Sequence, residues 1–293
     1  MPAKARLALI AAAVLWAVSF VATKVALVST PPLVVVALRL LISAACFAPW
    51  IVAAGRAGGF GSRRNLGRLV WLSLFGTGLH YGLQTVGLQY TTASNASLFA
   101  VSAPITIFLL SAFLLGEHVS ARKLLGVALA IVGVLLVMGP DALGSVELGA
   151  HTEGDLLVLA SIVMWGMFTV FGKSLADDLG ALRVTAWVTV IGALWTLPAG
   201  WYEARSLGFS LGSMTLEAWG AVAFLGVGCS FLATLLYFVA LERTESQKVG
   251  VYLYTIPPMT AVVALLYLGE IPTLHLAVGA VLVIAGVAIT ERG

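Results

Sequence analysis

Along this chain the apolar residues come in long unbroken runs, and the polar residues collect in short gaps between them. Each run approaches the ~20 residues that carry a helix across a bilayer, and none shows the ten-residue alternation of a membrane β-barrel strand. The pattern predicts ten helical spans, at about 6–28, 32–54, 68–89, 93–115, 121–139, 154–174, 180–201, 216–239, 247–268 and 273–290. Gaps such as Tyr90-Thr91-Thr92-Ala93-Ser94 are so short that consecutive helices must be antiparallel neighbours. The first run is too long for the apolar stretch of a signal peptide and lacks a small-x-small cleavage site, so a retained first helix is expected.

Composition agrees with the pattern. Of 293 residues 60% are hydrophobic and 10% charged, against about 25% charged in a soluble domain, and the mean hydropathy is +1.04. The expected fold class is an all-α polytopic membrane protein, because helices satisfy their own backbone polar groups in lipid. The net charge of +3 carries no message about nucleic acid, since the basic residues sit in short loops. Cys46 and Cys229 both fall inside spans, which argues against a structural disulfide.

Charge also suggests a direction. With the N-terminus inside, 13 Lys and Arg residues fall on the cytoplasmic side and 3 (Lys24, Arg39 and Arg205) on the outer side. By the positive-inside bias both termini are expected in the cytoplasm. The loop at 141–155 is acidic, as an external loop can be. The glycine-rich segment from Gly55 to Arg64 follows no strand and lacks the Lys-Ser/Thr of a phosphate-binding loop, so no nucleotide cofactor is expected.

The chain resembles itself. Shifted by 153 positions, Pro104 meets Pro257, Leu115-Gly116-Glu117 meets Leu268-Gly269-Glu270, Gly126 meets Gly279 and Gly133 meets Gly286. Shifted by 149, Trp16 meets Trp165, Lys24 meets Lys173 and Pro49 meets Pro198. Residues 1–140 and 141–293 are therefore expected to be two five-helix repeats. Five is odd, so the second repeat must enter the membrane from the opposite side, an arrangement that commonly holds substrate at the midplane.

The 5+5 layout, the tryptophan in the first helix of each half and the P-x10-LGE-x8-G-x6-G pattern resemble the EamA family of the drug/metabolite transporter superfamily, over essentially the whole chain. The likeness is greatest to the YddG-type amino-acid exporters of bacterial inner membranes. The resemblance implies a secondary transporter in the inner membrane that exports small metabolites by alternating access, with substrate in a central cavity. Amino acids with aromatic or apolar side chains are the favoured cargo. A small-molecule substrate and the bilayer are the partners implied, with no cofactor, and the protein is expected to be a monomer or weak homo-oligomer.

Candidate substrate-binding residues gather on faces of five helices. Trp16 and Trp165, with Phe20 and Thr169 four residues on, lie near the centres of helices one and six; they wall a cavity or fill space between helices. His80 and Gln84 share one face of helix three, as ligands or as a hydrogen-bonded pair across helices. The equivalent stretch of helix eight, Gly226 to Thr234, is not polar in the same way, an asymmetry suited to an asymmetric substrate. Asn95, Phe99, Ser102 and Thr106 form one face of helix four, and Tyr252 and Thr255 match Phe99 and Ser102 on helix nine. Pro104, Pro257 and Pro258 kink those two helices and free the carbonyls of Ala100, Leu253 and Tyr254, as packing kinks or as hinges.

What is missing narrows the chemistry. No Asp or Glu falls in mid-span, which favours facilitated diffusion or coupling through His80 over a carboxylate proton relay and leaves sodium coupling open. Glu117 and Glu270 sit at helix ends, where fixing a turn is the expected role. Lys24 and Lys173 are expected to snorkel. Arg39, two turns inside helix two, either attracts a substrate carboxylate or snorkels. The four histidines share no metal-ligand spacing and no nucleophile motif is present, so neither a metal nor an enzyme is expected. Drug export on the same fold is the alternative. Phosphorylated cargo would call for several cavity-facing cations, and Arg39 stands alone.

Overall fold

A computed structural model describes residues 1–55, 59–91, 96, 99–144, 152–259 and 274–293, with 138–144 as backbone only. Among these residues every regular element is helical. They are α1 (Ala3–Leu27), α2 (Pro32–Ala54), α3 (Arg63–Ser73, Leu74–Leu79 and His80–Tyr90 in line), α4 (Ser102–Leu115), α5 (Ala121–Gly144), α6 (Thr152–Leu179), α7 (Ala181–Ser206), α8 (Leu216–Leu241), α9 (Ser246–Gly250 and the tighter turn Val251–Thr255) and α10 (Leu274–Arg292). The helices outrun several expected boundaries: α5 continues past 139 and α7 past 201.

Six of them, α1, α2, α6, α7, α8 and α10, are long and apolar enough to cross a membrane. Large apolar side chains also cover the outside, Phe113, Leu216, Leu274 and Val28 among them. Holding such a surface in water is unfavourable at ~25 cal/mol per Å², and lipid tails remove that cost. The chain is an integral membrane protein.

Helix ends are closed by neighbours. The first amides of a helix have no internal partner and form its positive end. A Glu203 oxygen accepts from the amides of Leu33 and Val34 (2.8 and 3.2 Å), and Glu242 accepts from that of Ala181 (2.8 Å). The Leu-Gly-Glu motif has the same logic. Gly116 ends α4 in the left-handed conformation (φ 65°), which glycine adopts without strain. Glu117 then accepts from the amides of Ser246 and Gln247 (2.6 and 3.0 Å), capping α9. Its repeat mate Glu270 lies outside the described residues. Nearby, the buried Lys123 pairs with Glu245 at 2.5 Å. Burial alone would raise the Glu245 carboxyl, but Lys123 and Lys248 outweigh it and hold it below its ordinary range. The link is therefore intact at neutral pH and is lost as pH falls through that lowered value.

Glycines set the distances between helices. A β-carbon added to Gly126 would lie 2.6 Å from the Gly286 carbonyl oxygen, and one on Gly133 would lie 2.8 Å from that of Gly279. The reverse holds too: Gly286 would meet Gly126 at 2.5 Å and Gly279 would meet Gly133 at 2.6 Å. As one chain number rises the other falls, so α5 and α10 run antiparallel with their backbones in contact. Elsewhere α1 packs on α8 and α9, α6 on α3 and α4, α2 on α7, and α4 on α9. Exchanging the two halves of the sequence maps this set of contacts onto itself.

Replacing Gly133 with Ala should therefore destabilise the bundle by roughly 1–3 kcal/mol, because backbone cannot step aside. At Gly220, on α8, an added β-carbon meets nothing within 4 Å. Gly220→Ala should leave stability unchanged or raise it by up to about 1 kcal/mol. Thermal melting of both variants in detergent checks the contrast.

Candidate functional site

Two helices widen at matched places. The segments Leu74–Leu79 of α3 and Leu225–Ala233 of α8 are wound as π-helix, a rare form often found at functional positions. A shift of 150 superposes their Gly76-Thr77-Gly78 and Gly226-Val227-Gly228. Both admit a close neighbour: a β-carbon on Gly76 would lie 2.1 Å from the Phe168 ring, and one on Gly226 would lie 2.7 Å from Ile42. The irregular winding ends at His80 on α3 and includes Ser230 on α8.

Beside the first segment lies an aromatic group centred on Trp165. Its ring centroid is 5.0 Å from His80, 5.3 Å from Trp16 and Phe168, and 5.5 Å from Tyr237, while Trp16 and Tyr237 are 5.3 Å apart. Trp16 meets Trp165 edge-on at 89°. Such pairs contribute about 0.5–1.5 kcal/mol each beyond the area they bury. Trp16 and Trp165, which the 149-residue shift aligns, are thus in direct contact, joining α1 to α6. Bending of α1 supports this: Ser19 donates to the Trp16 carbonyl (2.7 Å), and the helix breaks at Val18.

Polar groups on this cluster are paired. Nδ1 of the buried His80 lies 2.8 Å from the Ser161 carbonyl oxygen. A carbonyl only accepts, so Nδ1 carries the hydrogen. The hydroxyls of Thr169 and Tyr237 meet at 3.1 Å, both buried.

Tyr81, whose ring centroid is 5.0 Å from that of His80, connects this group to Arg39. The arginine is 3% exposed, with Cζ 4.1 Å above the Tyr81 ring and Nε donating to Ser230 Oγ at 2.9 Å. It does not snorkel to an interface. A cavity of about 10 Å³, room for about one water, is bordered by Thr77, Tyr81, Thr185, Thr189, Ser230 and Thr234 with apolar neighbours including Phe168. Phe168 is shared by the aromatic group and the cavity wall.

The other expected residues lie as follows. Phe20 and Phe99 are half-buried against the main core, and Gln84 is half-buried one turn beyond His80. Ser102 donates to Phe99 O (2.6 Å) and Thr255 to Tyr252 O (2.6 Å), so both hydroxyls turn back on their own helices. The Tyr252 hydroxyl donates to Glu291 (3.0 Å), which also pairs with Arg6, and its ring joins none of the aromatic pairs above. Asn95 lies outside the described residues. Pro104 is the third residue of α4, whose helix starts after a turn at Val101. Pro257 and Pro258 follow the tighter turn Val251–Thr255. In both places the winding changes close to the carbonyls four residues before the prolines. Lys24 docks on the carbonyls of Leu88 and Thr91 at the end of α3, and Lys173 pairs with Asp177 (2.6 Å), where snorkelling was the expectation. Cys46 and Cys229 are free.

Tyr81, Ser230, Tyr237 and the cavity threonines were not singled out by sequence. One signal was available: the 150-residue shift that aligns the two Gly-x-Gly segments also aligns His80 with Ser230. The shifts of 149 and 153 hide it.

Comparison with known proteins gives one consistent result. The model of the EamA-like transporter family matches residues 3–139 and again 152–292. An uncharacterized transporter of Archaeoglobus fulgidus is 28% identical over 94% of this chain and 95% of its own length. A protein of Streptantibioticus cattleyicolor named a probable terminal-alkyne amino-acid exporter is 30% identical over 99% of this chain and 94% of its own. A solved crystal structure superposes with a TM-score of 0.81 at 22% identity, covering 100% of this chain and 98% of that one.

The Thr169–Tyr237 pair gives a direct test of the packing. Tyr237→Phe leaves a buried hydroxyl unpartnered and should cost about 1–3 kcal/mol, whereas Tyr237→Phe with Thr169→Val should recover most of the loss. A double-mutant cycle on detergent melting measures this.

Proposed function

We propose that this chain, which belongs to the EamA-like transporter family, exports amino acids, those with aromatic or apolar side chains foremost. In this reading it forms ten crossings as two inverted five-helix repeats, with both termini in the cytoplasm and the protein in a bacterial inner membrane. The observation that carries the reading is the contact of Trp16, His80, Trp165 and Tyr237 where α1, α3, α6 and α8 converge. A ligand side chain that stacks on aromatic faces can replace these ring contacts when the halves part. The antiparallel glycine seam of α5 and α10 supports the inverted arrangement, because each glycine contact is the mate of the other. The exporter of Streptantibioticus cattleyicolor supports an amino-acid cargo.

Alternating access then has a simple physical form: the seam stays packed while α3, α4, α8 and α9, all irregularly wound or broken, rearrange around the cluster. Among the described residues the acidic side chains lie near helix ends, where Glu117, Glu203 and Glu242 act as caps, so the proposed flux follows the substrate gradient.

Purified protein in proteoliposomes should take up labelled L-phenylalanine under its own gradient, without imposed proton or sodium gradients. Absence of flux for every amino acid, with folded protein, would refute the reading. Trp165→Ala and His80→Ala should lower transport at least tenfold while melting temperature falls much less. Parallel losses in both measurements would assign the residues to packing alone.

A further inference from the structure

Burying a guanidinium is unfavourable unless an anion accompanies it. Arg39 is 3% exposed, and among the described residues no Asp or Glu lies within ion-pair distance of it. Arginine offers five N–H donors in a planar fork suited to two carboxylate oxygens. Here Nε alone is engaged, by Ser230; Nη1 and Nη2 hydrogen-bond to no described residue. The Tyr81 face offsets part of the charge, at 4.1 Å. One turn along α2 the Ser43 hydroxyl is fully buried and has no partner among the described residues.

The surroundings fit an anion's second half. Arg39 does not itself line the small cavity, but Ser230 and Tyr81, which engage its guanidinium, both border it, and the remaining polar wall is Thr77, Thr185, Thr189 and Thr234. In this conformation Thr77, Thr185 and Thr234 give their hydroxyl hydrogens to backbone carbonyls of their own helices, so they form a polar, uncharged wall and the free donors for an anion are the Arg39 Nη groups. Phe168 closes the cavity toward Trp165, 5.3 Å away ring to ring, so a charged end and an aromatic end adjoin.

We infer that Arg39 is the counter-ion for a substrate carboxylate, and that the cavity beside it is the carboxylate subsite of a monoanionic or zwitterionic aromatic cargo. The inference rests on the transport reading above and adds the chemical class of group that must be present. In the present conformation the cavity is too small for a carboxylate. The wall that opens is the pair of π segments, where Gly76 and Gly226 let α6 and α2 press against α3 and α8. The cargo's carboxylate supplies the partner that the fold withholds from Arg39. Amines without a carboxylate leave the guanidinium unpaired and are rejected on that ground.

The test compares four probes on detergent-solubilised and reconstituted protein: L-phenylalanine, 3-phenylpropanoate (carboxylate only), phenethylamine (amine only) and L-phenylalanine amide. Ligand-induced melting shifts measure binding, and competition against labelled L-phenylalanine measures transport. In the wild type the two carboxylates should bind at least tenfold more tightly than the amine and the amide. Arg39→Gln should abolish that preference, and Arg39→Lys should keep part of it. Equal binding of all four probes, or of none, overturns the inference, and needs no variant. So does an Arg39→Gln protein that folds and keeps wild-type preference. If L-phenylalanine is transported while the amide competes equally, the carboxylate subsite falls and the transport reading stands. If 3-phenylpropanoate binds through Arg39 but no amino acid is moved, the subsite stands and the amino-acid reading falls.

Discussion

Apolar helices in lipid gain little from hiding from their solvent, so their association depends on how closely their backbones can approach. In this protein that closeness comes from glycine. Gly126 and Gly133 on α5 oppose Gly286 and Gly279 on α10 so tightly that a β-carbon on any of the four would overlap backbone. Gly87 and Gly154 do the same between α3 and α6, at 3.0 and 2.8 Å to the opposite carbonyls. These contacts set the spacing within which the aromatic and polar groups find each other. The larger side chains fill what the glycines leave.

Within that frame many of the polar groups follow one of two rules. Near helix ends, carboxylates accept from the first amides of neighbouring helices, as Glu117, Glu203 and Glu242 do. Deeper in the bundle, hydroxyls and the imidazole bond to backbone or to one another, as Thr169 does with Tyr237 and His80 with Ser161. Arg39 fits neither rule. It is a full charge held by one hydroxyl and one ring face, which is why it draws attention to the cavity next to it. Residues that violate the local rule of a fold are the ones to examine for function.

The two π segments connect packing to possible motion. A π turn adds a residue to the helical circumference and loosens the hydrogen-bond ladder, and here Thr234 donates to the Cys229 carbonyl five residues back. The segments occur on α3 and α8 at positions related by a shift of 150 residues. Each takes a neighbour's side chain into a glycine notch, Phe168 at Gly76 and Ile42 at Gly226.

Much of this was legible in the chain. Long apolar runs without strand alternation determine helices, because in lipid only a helix or a closed barrel satisfies the backbone's polar groups. The Gly-x6-Gly spacing on α5 and α10 and the Leu-Gly-Glu turn could be read as periodic signals, and each has a local physical cause. Trp16 and Trp165 stood out because tryptophan at mid-span is unusual. Tertiary structure alone decided that these two tryptophans touch, that Tyr252 turns to Glu291 instead of the aromatic group, and that Lys24 docks on α3. It also decided that Arg39 stays buried beside Ser230, 191 positions away. Side-chain pairing across such distances depends on the rotation and depth of whole helices. In a bundle those are set by many small close contacts at once, and no single stretch of sequence encodes them.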